Sequence, residues 1–370
     1  MRQHSDQLEK VLTSSFERQL SVNVFNGSDR MLEGVQFESW QLDSNLSRGI
    51  CSFGSGTVVY PSPDGSSLVP VGTQGILSPF RARLELVMTI TVGGVRESIS
   101  LGMFRVMSVP AASDSKVIYE GRELVVASQV AVKFESLETD IERWGFQFPE
   151  QSVAGASAFS EIRRLTGMPV EESVEDALVP STKVWEAKQG GRLEAVLELG
   201  RALGGSAVVN SQGAWEIIPD AIGEPVAKLE LGPQGTVKEI AAGIDTATVY
   251  NQVVGTYEDA KGVPIYAIAQ APAGPLSPDG PYLPHTEYHK SDLVKTQAQA
   301  QAAVDAVLAQ SISSQQYDVE IQCHVNPLVE VGDVVELEGW DRPLVGQVRS
   351  VQLSGSAYMS VVLRASRGLL

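Results

Sequence analysis

From Leu20 to Val109 the chain is cut into short β-type runs, each closed by a turn-forming pair. Leu20–Phe25 runs into Asn26-Gly27, a dipeptide suited to the positive φ angles of a tight hairpin. Glu33–Leu42 alternates around Val35, Phe37 and Leu42. Gly54 and Gly56 are expected to break the next run before Val58-Val59-Tyr60, and Pro61–Gly75 reads as a loop carrying Asp64-Gly65. Arg83–Val92 alternates, turns at Gly93-Gly94 and returns as Val95–Leu101, and Gly102–Val109 completes the set. Strands at this cadence predict an all-β barrel or sandwich over residues 1–125, preceded by a short helix with Leu8, Val11 and Leu12 at helical spacing.

The pattern changes after Gly121. Leu124–Ala127 reads as a strand and Val132–Ile141 as a mixed, acidic helix. Ser157 can cap a helix with Phe159, Ile162 and Leu165 on one side, ended by Gly167 and Pro169. Leu193, Val196, Leu197 and Leu203 mark a second amphipathic helix, stopped by Gly204-Gly205. Ala207–Val209 and Trp215–Ile218 form a hairpin, so 126–228 is a small α/β lobe. Ala247–Tyr257 then reads as a long strand, Pro264–Pro284 as a proline-rich stretch, and Asp292–Gln310 as a helix capped by Ser291, with Ala300, Val304 and Val307 on one face. From Tyr317 the chain is β again, and Asn326–Leu337 reads as an alternating strand framed by Pro327 and Gly332-Asp333. The expectation is a second barrel over 229–257 and 313–370, split by an inserted lobe at 258–312.

The fold class expected is α+β and β-rich: two small antiparallel β-barrels, an α/β lobe and an inserted lobe. A chain of 370 residues is too long for one ordinary core, which agrees. Its formal charge is −17, so free nucleic acid is repelled on average. No apolar run approaches the roughly 20 residues of a membrane helix. The polar start, Met1–Asp6, lacks a signal core, which points to synthesis and retention in a cytoplasm. Cys51 and Cys323 make no disulfide framework and read as core residues.

Each candidate chemistry meets an objection. His285 and His289, with Cys323-His324 further on, could contribute to a zinc site, but Pro284 precedes the pair and no second ligand pair is near. Glu135, Glu138, Asp140 and Glu142 beside Trp144, Phe146 and Phe148 could serve a sugar, yet the same pattern describes a solvated face with anchors beneath. Gly-x-Ser-x-Gly is absent, Ser52–Gly56 lacks the ending of a phosphate loop, and Leu203-Gly204-Gly205 ends a helix instead of opening one. No catalytic, cofactor-binding or metal residue is assigned, and no cofactor is expected.

The order of the motifs resembles a known family. Gly102–Val106, Leu203–Gly205 through Gly213–Pro219, Val249–Val254, Thr296–Ala300 and Pro327–Val335 together resemble minor tail proteins of long-tailed actinobacterial phages, within the wider group of phage baseplate (tail-tip) hub proteins. The resemblance spans nearly the whole chain, and its specificity lies in the order of the motifs. It implies a virion structural protein and no enzyme. The implied part is a homotrimeric hub whose paired barrels imitate a six-fold ring. Implied partners are the distal tail or tail tube protein, the tape measure protein and the central tip or fibre proteins. Genome DNA would pass through without specific binding, and nothing implies membrane insertion. The implied location is the phage tail tip, after assembly in the host cytoplasm. Related hubs often carry a C-terminal peptidase or glycosidase domain; with the sequence ending at Leu370, none is expected here. The competing expectations are a receptor- or carbohydrate-binding tail-tip module and a cell-wall-degrading enzyme.

Overall fold

The computed structural model describes residues 1–2, 4–5, 7–8, 12, 15–180, 182–233, 235–242, 249–258, 263–272, 274–290, 296–313, 316–339 and 343–366. Two compact units emerge: Met1–Ile240 with Ile321–Leu363, and Ala241–Glu320 with Arg364–Leu370. Val11, part of the expected N-terminal helix, lies outside the described residues, as do Ala247 and Ser291–Lys295.

The first unit opens with β1 (Glu17–Asn26), β2 (Asp29–Asn45), β3 (Ser52–Pro61), β4 (Ala82–Val92), β5 (Val95–Tyr119) and β6 (Arg122–Ser136). They pair in the order β1-β4-β5-β6-β3-β2, and β2 returns to β1, so six antiparallel strands close on themselves. Alternation fills the interior: Leu20, Val22 and Val24 from β1, Leu84, Leu86, Met88 and Ile90 from β4, Val130, Val132 and Phe134 from β6. The Phe104 and Phe134 rings meet edge to face with centroids 5.1 Å apart.

Two expectations fail here. Gly54 and Gly56 do not break a strand; β3 runs through both. They make room instead, for a Cβ at Gly54 would lie 2.2 Å from the Gln41 carbonyl oxygen, and one at Gly56 2.4 Å from the Phe37 ring. Val132–Ile141 is not one helix either. β6 continues to Ser136 because Val130, Val132 and Phe134 repeat every second residue, and only Glu138–Arg143 turns helical.

That helix, α1 (Glu138–Arg143), begins the lobe, followed by β7 (Glu150–Gln151), α2 (Ala158–Thr166), β8 (Val184–Trp185), α3 (Gly191–Ala202), β9 (Gly205–Val209) and β10 (Trp215–Pro219). The Ser157 side chain accepts the Ser160 N–H and caps α2, and Gly167 ends it at φ 66°. Phe159, Ile162 and Leu165 are fully buried with Trp215, Ile217 and Val196 in one core. The expected hairpin is β9–β10.

The chain then lays down β11 (Ala227–Glu230) and β12 (Val237–Ala242), and crosses into the second unit as β13 (Gln252–Glu258), β14 (Pro264–Gln270), β15 (Thr286–His289) and α4 (Gln297–Ser313). It returns as β16 (Gln316–His324), β17 (Val334–Glu338), β18 (Leu344–Ser354) and β19 (Tyr358–Ser366). The second barrel has the order β11-β17-β18-β19-β16-β12 and is closed by a bridge between Leu231 and Val237. One pair departs from the expected antiparallel plan: β11 runs parallel to β17. Gln41–Asn45 of β2 pair with Ser350–Ser354 of β18, so the two barrels share one 12-stranded sheet.

Asn326–Asp333 is a loop, not a strand. Asn326 Oδ1 accepts the Leu328 N–H and Asp333 Oδ2 accepts the Glu330 N–H, turn bonds that compete with a ladder. Leu328 and Val329 are nonetheless buried, so the loop carries apolar residues of the kind a strand carries.

In the second unit β13 pairs with β14 and β15, not with the barrel it was expected to open. Val253, Tyr257, Ala267 and Ala269 on one face of this sheet pack against Ala300, Val304 and Leu308 of α4. Asn251, just before β13, is fully buried. Its Nδ2 donates to the Leu276 and Leu283 carbonyls, both at 2.9 Å, and its Oδ1 accepts the His285 N–H at 2.7 Å. The motif expected to start a barrel strand therefore organises the proline-rich stretch.

Candidate functional site

The structure engages the residues weighed for chemistry in structural bonds. The two histidines sit in the second unit, one before β15 and one ending it. Tyr257 Oη and His289 Nδ1 are 2.9 Å apart, and the His285 ring packs on Tyr250 with centroids 4.6 Å apart. Cys323 faces the interior of the first unit, and burial pushes its thiol up to about 12. Among the described residues no three His, Cys, Asp or Glu side chains converge as metal ligands.

The acidic cluster disperses across the junction of the first barrel with the lobe. Asp140 accepts Arg83 at 2.7 Å and Arg105 at 2.5 Å, tying α1 to β4 and β5. Glu138 is fully buried, and its Oε1 accepts the Val209 N–H at 2.9 Å. Glu135 stands on β6 opposite Arg105, and Glu142 is exposed. The aromatic companions separate as well: Phe146 is buried, Phe148 is exposed, and Trp144 stacks on the Arg192 guanidinium at 4.1 Å.

Burial raises the Glu138 pKa above the usual carboxylate range, against the Ser136 and Val209 bonds that favour its ionised form. A native state that binds the proton more readily than the unfolded chain loses stability as pH rises through and above the ordinary carboxylate pKa of about 4.3. Glu138→Gln keeps an acceptor for Val209 and removes the charge. The variant is therefore expected to melt higher than wild type at pH 7, with the gap closing towards pH 4. Melting curves across that range check it; a gap independent of pH contradicts the assignment.

A cavity of about 560 Å³ in the first unit is lined by both barrels and the lobe, with Cys51, Ser52, Glu171, Glu216, Glu330 and Asp333 on its walls. Burial, then Glu171 and Glu330, raise the Glu216 pKa. Burial also pushes the Cys51 thiol up to about 12, so the cavity offers no thiolate nucleophile at neutral pH.

The surface with the clearest chemistry is one end of the first barrel, where sequence reasoning read the Asn26-Gly27 turn, the Pro61–Gly75 loop and the strand Leu124–Ala127. Asn26 stands opposite Ala82 and Pro61 opposite Ala127, so the β1–β2 turn, the β3–β4 loop and the β5–β6 hairpin gather there. β4 leaves β5 at Arg105 and β3 leaves β6 at Ala127. Beyond them β5 and β6 continue as a two-stranded ribbon to the Glu120-Gly121 turn. Asp114 on the ribbon accepts Ser67 Oγ at 3.0 Å and Ser128 Oγ at 2.7 Å, which fastens the loop to it. Val117, Tyr119, Leu124 and Val126 are exposed on the ribbon, Ile118 is 82% exposed, and Phe80 on the adjoining loop is 70% exposed. Apolar side chains gathered at one end mark an interaction surface. The legible signal was the apolar run Val117-Ile118-Tyr119 so close to the Glu120-Gly121 turn.

No protein-family model matches the sequence, and no curated protein matches it. Solved structures do match its fold. The tail protein from Neisseria meningitidis aligns over 95% of this chain and 97% of its own length, with a TM-score of 0.53 and 11% identity. The 43 kDa tail protein of prophage MuSo2 from Shewanella oneidensis aligns over 93% and 98%, with a TM-score of 0.54 and 13% identity. A chain of the Francisella PdpA-VgrG complex aligns over 95% of this chain and 53% of its own, with a TM-score of 0.55 and 7% identity. At these identities the likeness is one of fold. The fold class read from the sequence is the one observed, with the parallel pair and the reassigned β13 as its exceptions.

Proposed function

We propose that this chain is a structural protein of a phage tail, the hub at the distal end of the tube, and not an enzyme. The observation that carries the reading is the pair of six-stranded barrels fused through β2 and β18. A trimer of such chains places six barrels around one axis, and closed symmetry of this kind fixes the interface. Likeness in fold to two tail proteins over nearly their whole lengths supports it.

In this reading the apolar end of the first barrel is an assembly surface, for a neighbouring copy or for the distal tail or tube ring. The tape measure protein and the central tip are further partners, and the actinobacterial branch of the group rests on the order of sequence motifs alone. The charge of −17 suits a conduit whose wall repels DNA phosphates. The virion tail tip is the location that follows, with assembly in the host cytoplasm.

Solution mass over a range of concentrations, with imaging of labelled tails, tests the proposal. The expected results are a trimer and label at the distal end of the tube. A monomer at all concentrations that also fails to join its tail, or label elsewhere on the particle, rejects it. Replacing Ile118 and Tyr119 together by Ser is expected to weaken assembly at least tenfold while the melting temperature of the isolated chain stays within a few degrees.

A further inference from the structure

The first unit holds a second cavity, of about 410 Å³, which shares no wall residue with the acidic one. That volume falls in the range of small-molecule sites, about 300–1,000 Å³. Leu12 and Phe16, from the segment before β1, and Val325, just past β16, give it apolar walls. Ser15, Arg18, Thr236 and His324 bring the polar groups.

Arg18 is the centre of the argument. It lies on the same face of β1 as Leu20 and Val22, and the alternation puts Glu17 on the opposite face. Its Nη2 donates to the Gly355 carbonyl at 2.9 Å and to the Ser356 carbonyl, both in the turn between β18 and β19. These bonds hold the guanidinium in place but do not cancel its charge. Its Nη1 is buried with no hydrogen-bond partner. Burial also holds the Arg18 pKa below its ordinary value. A buried cationic donor left unpaired is costly, and native proteins rarely keep one without a ligand or ion to meet it.

The surroundings favour an anion. Among the described residues no carboxylate lines the cavity, in a chain with 45 acids. Glu97 is on Arg18's face, two strands away across Ile90, and it accepts the Ser5 N–H at 2.9 Å and the Ser5 hydroxyl at 2.5 Å. The His324 ring packs on Tyr358 with centroids 4.9 Å apart, and Lys238 Nζ lies 4.6 Å from the centre of the same tyrosine ring. Lys238 donates to Gln322 Oε1 at 2.9 Å, a neutral partner that leaves its charge uncancelled. Positive charge thus gathers at this cavity against the sign of the whole chain.

The donors narrow the kind of anion. With Nη2 committed to two carbonyls, one guanidinium nitrogen remains. That suits the single charge of a carboxylate, whereas a phosphate dianion is best met by a full fork or several cations. The apolar walls call for a hydrocarbon body behind the head group. We propose that this cavity binds a small organic carboxylate, its head on Arg18 and His324 and its apolar body against Leu12, Phe16 and Val325. Such a ligand would touch both barrels, since Arg18 belongs to β1 and His324 to β16.

Calorimetric titration of the full chain tests this with octanoate and 3-phenylpropionate as probes. Octanol and 3-phenylpropanol keep the bodies without the charge, acetate keeps the head without the body, and inorganic phosphate offers the other anion. At least one of the two acids is expected to bind one to one, and its alcohol, acetate and phosphate at least tenfold more weakly. Arg18→Gln is expected to weaken the acid at least tenfold, the loss of one charge-assisted bond. His324→Ala is expected to weaken it about threefold or more while melting within about 2 °C of wild type, because His324 is exposed. Should Arg18→Gln melt far below wild type, His324→Ala and the comparison of acid with alcohol decide. The proposal is overturned if neither acid binds, if the alcohol or phosphate binds as tightly, or if both variants keep wild-type affinity. None of these results bears on the trimer or on its place in the tail, so the two readings fail separately.

Discussion

Alanine at Gly54 is expected to lower the melting temperature of the first barrel sharply. The added Cβ would lie 2.2 Å from the Gln41 carbonyl oxygen and 2.6 Å from the Phe134 ring. The carbonyl belongs to β2 where its ladder with β3 resumes after a bulge between Glu38 and Gln41, so it moves only if the register moves. The ring is held by Phe104 and Phe37 at centroid distances of 5.1 and 6.1 Å. Overpacking a filled interior costs about 1–3 kcal/mol, and a clash with backbone belongs at or above the top of that range. For a unit of this size about 3 kcal/mol corresponds to a fall of roughly 6–12 °C in melting temperature. Gly94→Ala is the control, since nothing lies within 4 Å of its Cβ position. Thermal melts of the two variants decide it: a Gly54→Ala protein melting with Gly94→Ala would show that the barrel interior is looser than its glycines imply.

Loss of the Asn251 side chain is expected to unfold the second unit locally and leave the barrels standing. Three backbone groups 25, 32 and 34 residues further along the chain, at Leu276, Leu283 and His285, are held by one amide. Each bond contributes about 1 kcal/mol net, and a cavity is left in addition, so Asn251→Ala should cost about 3–4 kcal/mol. Asn251→Asp tests the same bonds more finely, because it keeps the acceptor for His285 and loses both donors. Hydrogen exchange measured by peptide is the suitable probe. Fast exchange over 250–290 with unchanged protection in β4 and β6 is the expected pattern. Uniform loss of protection through the chain, or none, rejects the idea that Asn251 organises only its own unit.

How much of this was legible in the sequence depends on how far apart the deciding partners lie. The first barrel was legible because Asn26-Gly27 and Gly93-Gly94 are local signals with local consequences. So were α2, with Ser157 and Gly167 at its ends, and the hairpin at Trp215. Gly54 was misread because a glycine that breaks a strand and one that admits a phenylalanine ring look alike until Phe134 is placed beside it. β13 was misassigned because Val249–Val254 carries strand character without saying which sheet it joins. The parallel pairing of β11 with β17 bridges more than a hundred residues and has no turn to announce it. Of the candidate surfaces, the apolar ribbon tip was visible as composition.

The pairing that fuses the barrels also sets a timetable. Gln41–Asn45 are made early and find β3 at once, since their partners Ser52–Ser55 follow within a few residues. Their other side waits for Ser350–Ser354. At about 5–20 residues per second, a ribosome takes roughly 15–60 s to supply them. Through that interval the nascent chain carries a half-made strand with its amides and carbonyls open to any other strand nearby. Gln41 and Asp43 join side chains across that stretch at 2.8 Å, which puts charge and polarity on the waiting edge. A cell making many copies at once would thus need either dilute synthesis or a companion to keep those edges apart until each chain closes on itself.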